Sequence, residues 1–213
     1  MDSKDFNRLY WKHYLSIEED FIKTNRYVEV DKRNFQTFSV EYVKLLQLIG
    51  SEFDVVSKEI CRYYGYSNKK NIYEYASIII PNFTEICSQK LMIKNNSSII
   101  IGPLSDWTIQ PEYKSPKWWE SYNKIKHDRV NKYDHASLEN VLLGLASLYL
   151  VEMYFIYEIA LKEKSTLKIP NIPSSFFEII DWKAKQHIYG DGLLLDELDD
   201  TRIIRGAGAC HLT

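Results

Sequence analysis

Residues 118–129, "WWESYNKIKHDR", set two adjacent tryptophans beside an amide, an imidazole and two cations. Helical spacing of about 100° per residue sorts these side chains around one axis. Trp118, Trp119, Tyr122, Ile125 and Val130 share a broad face. Lys117, Glu120, Ser121, Lys124 and Asp128 lie opposite, toward water. Lys126 and Arg129 fall inside the aromatic face, and Asn123 and His127, one turn apart, fall on its shoulder.

Between Lys114 and Lys132 six cations stand against Glu120 and Asp128, a local charge of +4 in a chain whose formal charge is −2. Cations interleaved with tryptophan, tyrosine and histidine suit phosphate contact and base stacking. The same charges also describe an ordinary amphipathic helix with a lysine-rich outer face.

Acids on two other segments point toward a core. Glu52 sits within the arc of Leu45, Leu46, Ile49, Phe53, Val56, Ile60 and Tyr63, with Glu59 at its edge. Glu152 lies among Leu138, Val141, Leu145, Leu148, Tyr149 and Ile156. An unpaired buried charge costs several kcal/mol. The expectation is therefore that Glu52 and Glu152 pair with Lys126 and Arg129, either as part of a site or as a network that fixes helix register. Asp54 and Lys58, at i and i+4, read as a solvated pair.

The elements that must position these residues follow from periodicity. A first helix is expected over 4–25, where Phe6, Tyr10, Tyr14, Ile17 and Phe21 recur at three- and four-residue spacing, with His13 at the apolar edge as a core group. A second helix runs over about 38–64 and stops at Gly65, and a shorter one covers 72–80 before Pro81. "EICSQKLMIKNNSSIIIGPL" reads as a β-hairpin insertion at about 85–105, with turn formers between β-branched runs. The motif helix opens at Ser115-Pro116. "NKYDHAS" breaks it, and Asp134 or Ser137 caps a last helix to about Lys162. The expected architecture is all-α: an antiparallel bundle of four to five helices, with a small β-hairpin between the second and third long ones. Residues 1–165 form the helical domain, and 166–213 a C-terminal arm with an acidic, Gly-rich tail.

Composition narrows the class. A chain of 213 residues, 45% hydrophobic and 26% charged, is globular and large enough for a sizeable core. Cys61, Cys87 and Cys210 are odd in number and in no metal spacing, which reads as a reducing interior and no metal. "MDSKDFNRLYWKHY" has no apolar run of the secretory kind. The run at 141–161 is interrupted by Glu152 and Glu158 and reads as a buried helix rather than a membrane span. A cytoplasmic protein without membrane contact is the expectation.

The motif stretch, followed by "ASLENVLLGLASLYLVEMY" and preceded by "SEFDVVSKEIC", resembles the HEPN superfamily, and more narrowly HEPN-like bacterial helical proteins of uncharacterised function. The resemblance covers about 35–162, with the hairpin as an insertion. It implies an HEPN-like bundle, a homodimer whose motifs face one cleft, no cofactor, and RNA or a nucleotide as ligand. It also implies a defence or toxin–antitoxin setting, with a partner protein from such a system.

Many members are metal-independent endoribonucleases, with an Arg that holds phosphate and a His that transfers protons to and from a 2′-OH nucleophile. On that pattern His127 is the acid–base, Asn123 orients it or the phosphate, and Lys126 or Arg129 stabilises developing charge. Trp119 and Tyr122, with Glu52 and Glu152, would line the binding surface. The places for the family's Arg hold Glu120, Ser121 and Tyr122. Neither Lys126 nor Arg129 stands in the family's place. The alternative is a non-catalytic module that binds nucleotide, RNA or protein, or dimerises. His135, in the following turn, is a further candidate, whereas His187 and His211 in the tail are not.

Overall fold

The computed structural model of the chain describes residues 1–164, 170 and 172–182. His187, His211, Cys210 and the acidic run of the tail lie outside the described residues. The first helix is built in three parts: α1 (Ser3–Phe6), a π-helical turn (Asn7–Trp11) and α2 (Lys12–Thr24). The Asp2 carboxylate accepts from the Asp5 amide at 2.7 Å and caps its start. The π turn has a consequence that plain helical spacing misses. Phe6 and Trp11, five residues apart, are both buried, while Tyr10 is only partly so. The phase shift also turns His13 outward, so it is an exposed residue rather than the core group expected of it.

α3 (Val40–Tyr63) starts at Ser39, whose hydroxyl accepts from the Tyr42 amide at 3.1 Å. α4 (Ile72–Asn82) starts at Asn71 in the same way and carries Pro81 in its last turn. β1 (Lys90–Ile93) and β2 (Asn96–Ile101) form an antiparallel hairpin with Leu91 opposite Ile101. α5 (Lys117–Asp128) carries the motif, and Asp106 accepts from the Lys117 amide at 3.0 Å where Pro116 has no side-chain cap to offer. A 3₁₀ turn (Tyr133–His135) leads to Ser137, the cap of α6 (Leu138–Glu163). β3 (Phe177–Ile180) then pairs antiparallel with β1, giving the order β2-β1-β3.

The all-α expectation is therefore corrected. The protein is not a pure antiparallel bundle of four to five helices, because a three-stranded antiparallel sheet is part of its core. The cause lies in α6. Every residue from 144 to 157 on that helix is buried, so about four turns must be covered on all sides. α6 is the one described helix long and apolar enough to cross a membrane, and most of that length lies inside the protein. The N-terminal helix, α3 and α5 pack on it. The sheet region covers more of it. Phe177 stacks on Tyr149 at 5.7 Å, and Trp182 packs on Tyr157 at 4.4 Å and Tyr154 at 6.0 Å. Ser147 donates to the Pro103 carbonyl and Tyr154 to that of Thr84.

One buried carboxylate ties the last strand to the first helix. Glu18 is 2% exposed and accepts from the Tyr14 hydroxyl at 2.6 Å, the Ser174 hydroxyl, and the Ser175 amide and hydroxyl, both at 2.9 Å. The Ser174 hydroxyl accepts in turn from the Phe176 and Phe177 amides. Trp11 donates to the Ile172 carbonyl at 2.6 Å beside it. Glu18→Ala strands these donors and should cost about 3 kcal/mol in urea unfolding. A cost below about 1 kcal/mol would show that the clamp does not hold the strand.

Candidate functional site

Two glycines let α5 sit close to its neighbours. A Cβ on Gly50 would lie 2.4 Å from the Tyr122 ring, and one on Gly144 would lie 3.0 Å from Trp118. Trp118 and Trp119 then close around Phe53, at 5.1 Å and 5.6 Å between ring centroids, with Trp107 completing the group at 6.0 Å. The aromatic pair is thus a core feature. Trp119 and Tyr122 are each 6% exposed, so neither offers a free face for stacking a base. Trp119 is packed against Tyr122 at 5.0 Å, and the Lys126 ammonium lies 5.5 Å from the Tyr122 ring centroid.

The buried arc of α5 comprises Trp118, Trp119, Ser121, Tyr122 and Ile125. It is rotated from the face read in the sequence, since Ser121 points in and Lys126 points out. Arg129 stays in line with the arc but caps the helix, where packing on α3 and α6 has ended. Lys124, Lys126, His127, Arg129 and Lys132 are all exposed, and Asn123 is half-buried. Among the described residues none of these side chains has an ion pair or hydrogen bond, while Asp128 accepts from Asn131 at 2.9 Å. His135 is half-buried in the next turn, and its carbonyl accepts from Asn140.

The expected network of Glu52 and Glu152 with Lys126 and Arg129 does not form. The long cationic stems reach water instead, which costs less than burying their heads. Glu52 faces His13, with 3.5 Å between Oε2 and Nε2. Glu152 is fully buried, and neither of its oxygens has a hydrogen-bond partner. Burial, and then the charge of Glu52, push its carboxyl well above the ordinary range. Burial also raises Glu52, and His13 opposes that. The sequence signal for the His13–Glu52 pair was present in both residues, but the π turn hid their alignment. Glu59 pairs with Arg62 at 2.9 Å. Asp54 and Lys58 do pair, but half-buried rather than fully solvated, and Tyr75 donates to Asp54 at 2.7 Å.

No group of three or more His, Cys, Asp and Glu residues able to hold a metal occurs among the described residues. The Cys61 and Cys87 thiols are pushed up to about 11 by burial, so they are protonated and unreactive at neutral pH. A groove of about 500 Å³ opens between α2 and α3, floored by Tyr42 and Leu45 and edged by Tyr27 and Leu48. Its lining comes from the end of α2 and the start of α3, brought together by the segment between them, so no local sequence pattern marks it. No family model, curated protein or solved structure matches the chain.

The seating of α5 and its exposed end separate in their effect on stability. Gly50→Ala forces Tyr122 to move and should cost about 1–3 kcal/mol. His127→Ala should change stability by less than about 0.5 kcal/mol. Thermal and urea unfolding of both variants check this, and a large loss for His127→Ala would mean that its side chain is held by the fold.

Proposed function

We propose that the protein is a binding module for single-stranded RNA, which it holds by its phosphates at the C-terminal end of α5. The observation that carries this reading is the state of the cations there. Lys124, Lys126, Arg129 and Lys132 are exposed without a carboxylate partner, with His127 among them. On other faces of the molecule Arg8, Lys23, Arg33, Lys44, Lys58 and Arg62 pair with nearby acids. Exposed cations without a carboxylate partner among the described residues, such as Lys12, Arg26, Lys70 and Lys90, stand apart from one another there, whereas here four fall within nine residues. Unpaired cations spaced along one helix end are free to replace the counterions of a phosphate chain. Half-buried Asn123 adds an amide at the edge of the same surface.

Binding without cleavage is the better-supported form of this reading. A catalytic imidazole needs a group that fixes its tautomer and aim. Among the described residues none hydrogen-bonds to His127, and Asn123 lies one helical turn away without reaching it. The family's Arg position is also filled by other residue types. These features accord with the non-catalytic branches of the superfamily that the sequence resembles.

Fluorescence anisotropy with a labelled single-stranded RNA tests the reading between about 50 and 200 mM salt. Wild type should bind and leave the RNA intact, with affinity falling steeply as salt rises. Lys126→Ala and Arg129→Ala should each weaken binding and reduce the log–log slope by about 0.7. Absence of binding at low salt, or variants identical to wild type, would refute it. RNA cleavage that His127→Ala abolishes would replace it with the ribonuclease reading.

A further inference from the structure

A carboxyl group at the centre of a buried helix must be neutral, paired or costly. Glu152 is 0% exposed, and both its oxygens are without a partner. The residues one turn before and after it on α6 are Tyr149 and Phe155. The N-terminal helix packs on both. Phe6 meets Phe155 edge-on at 5.7 Å, and Trp11 and Tyr14 meet Tyr149 at 6.0 Å and 5.6 Å. The titratable and charged groups around this place come from every element that packs here. They are Tyr10 in the π turn, His13 on α2, and Glu52, Glu59 and Arg62 on α3. Arg62 is paired with Glu59, and His13 faces Glu52, so no cation is paired with Glu152.

We propose that Glu152 is the centre of a proton-operated latch: its neutral carboxyl lets the N-terminal helix close over α6, and loss of the proton loosens that helix from the body. An ionised Glu152 would be a buried charge with no protein partner, beside a second carboxylate on Glu52. Opening of the N-terminal helix gives the group water and relieves both costs. The π turn lies in this helix and carries Tyr10, which feels the charge of Glu152, and Trp11, which packs on Tyr149. The device is independent of the RNA reading, which uses the other side chains at the end of α5.

The sign of the pH dependence follows from linkage. In the closed form the carboxyl's pKa is raised by burial and by Glu52 above the ordinary value of 4.5. The stabilisation of the closed form is therefore full below about pH 4.5 and is lost as pH rises toward the raised value. Across that window the opening equilibrium grows by up to about tenfold per pH unit.

Hydrogen exchange of the amides of residues 3–24, expressed as protection factors from about pH 4.5 to pH 8, tests the latch. Wild type should lose up to about tenfold in protection per pH unit in this helix and much less in α3 and α5. Glu152→Gln, nearly isosteric and unable to ionise, should lose much less protection than wild type, keeping only the part of the pH dependence that the His13–Glu52 pair contributes. Equal pH dependence in both proteins, or an equal decline in α3 and α5, overturns the proposal. If the Gln variant does not fold, the carboxyl carbon resonance of Glu152 in wild type, followed from about pH 4.5 upward, decides: a carboxyl that loses its proton in step with the protection of residues 3–24 supports the latch, and one already ionised while that protection is full overturns it.

Discussion

Burial of α6 on every side is the constraint on which the rest of the structure depends. A helix with one apolar stripe needs one partner surface, but α6 is covered around its whole circumference over about four turns. Helices alone do not close that shell in this chain. The loop after α4, the loop after β2, and β3 with the residues beyond it do part of the work, which is why the sheet's inner face belongs to the core. The aromatic residues follow from the same demand. Tyr149, Tyr154, Tyr157 and Phe155 all project from α6: Tyr149 meets Phe177, Phe155 meets Phe6, and Tyr154 and Tyr157 share Trp182. Buried tyrosine brings hydroxyl groups inward, and the Tyr154 hydroxyl is met by the Thr84 carbonyl.

The motif helix is shaped by this core and also escapes it. Gly50 and Gly144 bring α5 close enough for its tryptophans to fill the space around Phe53. Beyond Ile125 the packing ends and the helix runs on into solvent, carrying Lys126, His127 and Arg129 with it. Cations are favoured at a helix C-terminus, where the carbonyl ends of the dipoles gather. The aromatic pair and the basic cluster are therefore adjacent for two different reasons. One anchors the helix, and the other occupies the length left over once it is anchored.

The sequence carried most of the helix positions. Apolar periodicity placed α3, α5 and α6 to within a few residues, Ser137 was legible as a cap, and the β-branched runs around "NNSS" marked β1 and β2. Three things were not legible, each for a physical reason. β3 pairs with β1 across more than eighty residues, a contact that no local pattern records. The π turn changes the helical phase between Phe6 and Trp11, so ordinary spacing missed the burial of Trp11 and misplaced His13, while Tyr10 still packs on the core. Pairing of Glu52 and Glu152 with Lys126 and Arg129 assumed that inward-facing charges must neutralise one another. Long cationic side chains had a lower-energy exit, and the buried Glu152 can take a proton instead. The exposed cations of α5 were visible as a charge excess, but their lack of partners became visible only in three dimensions.

The most direct test of the account is a map of where RNA touches the protein. Backbone amide resonances should be followed by NMR while a short single-stranded RNA is titrated at low salt. The largest shifts should fall on residues 123–135, with α6 and the groove beside Tyr27 and Leu48 unaffected. Shifts centred on that groove or on the sheet, or none at all, would contradict the assignment of the α5 end as the functional surface.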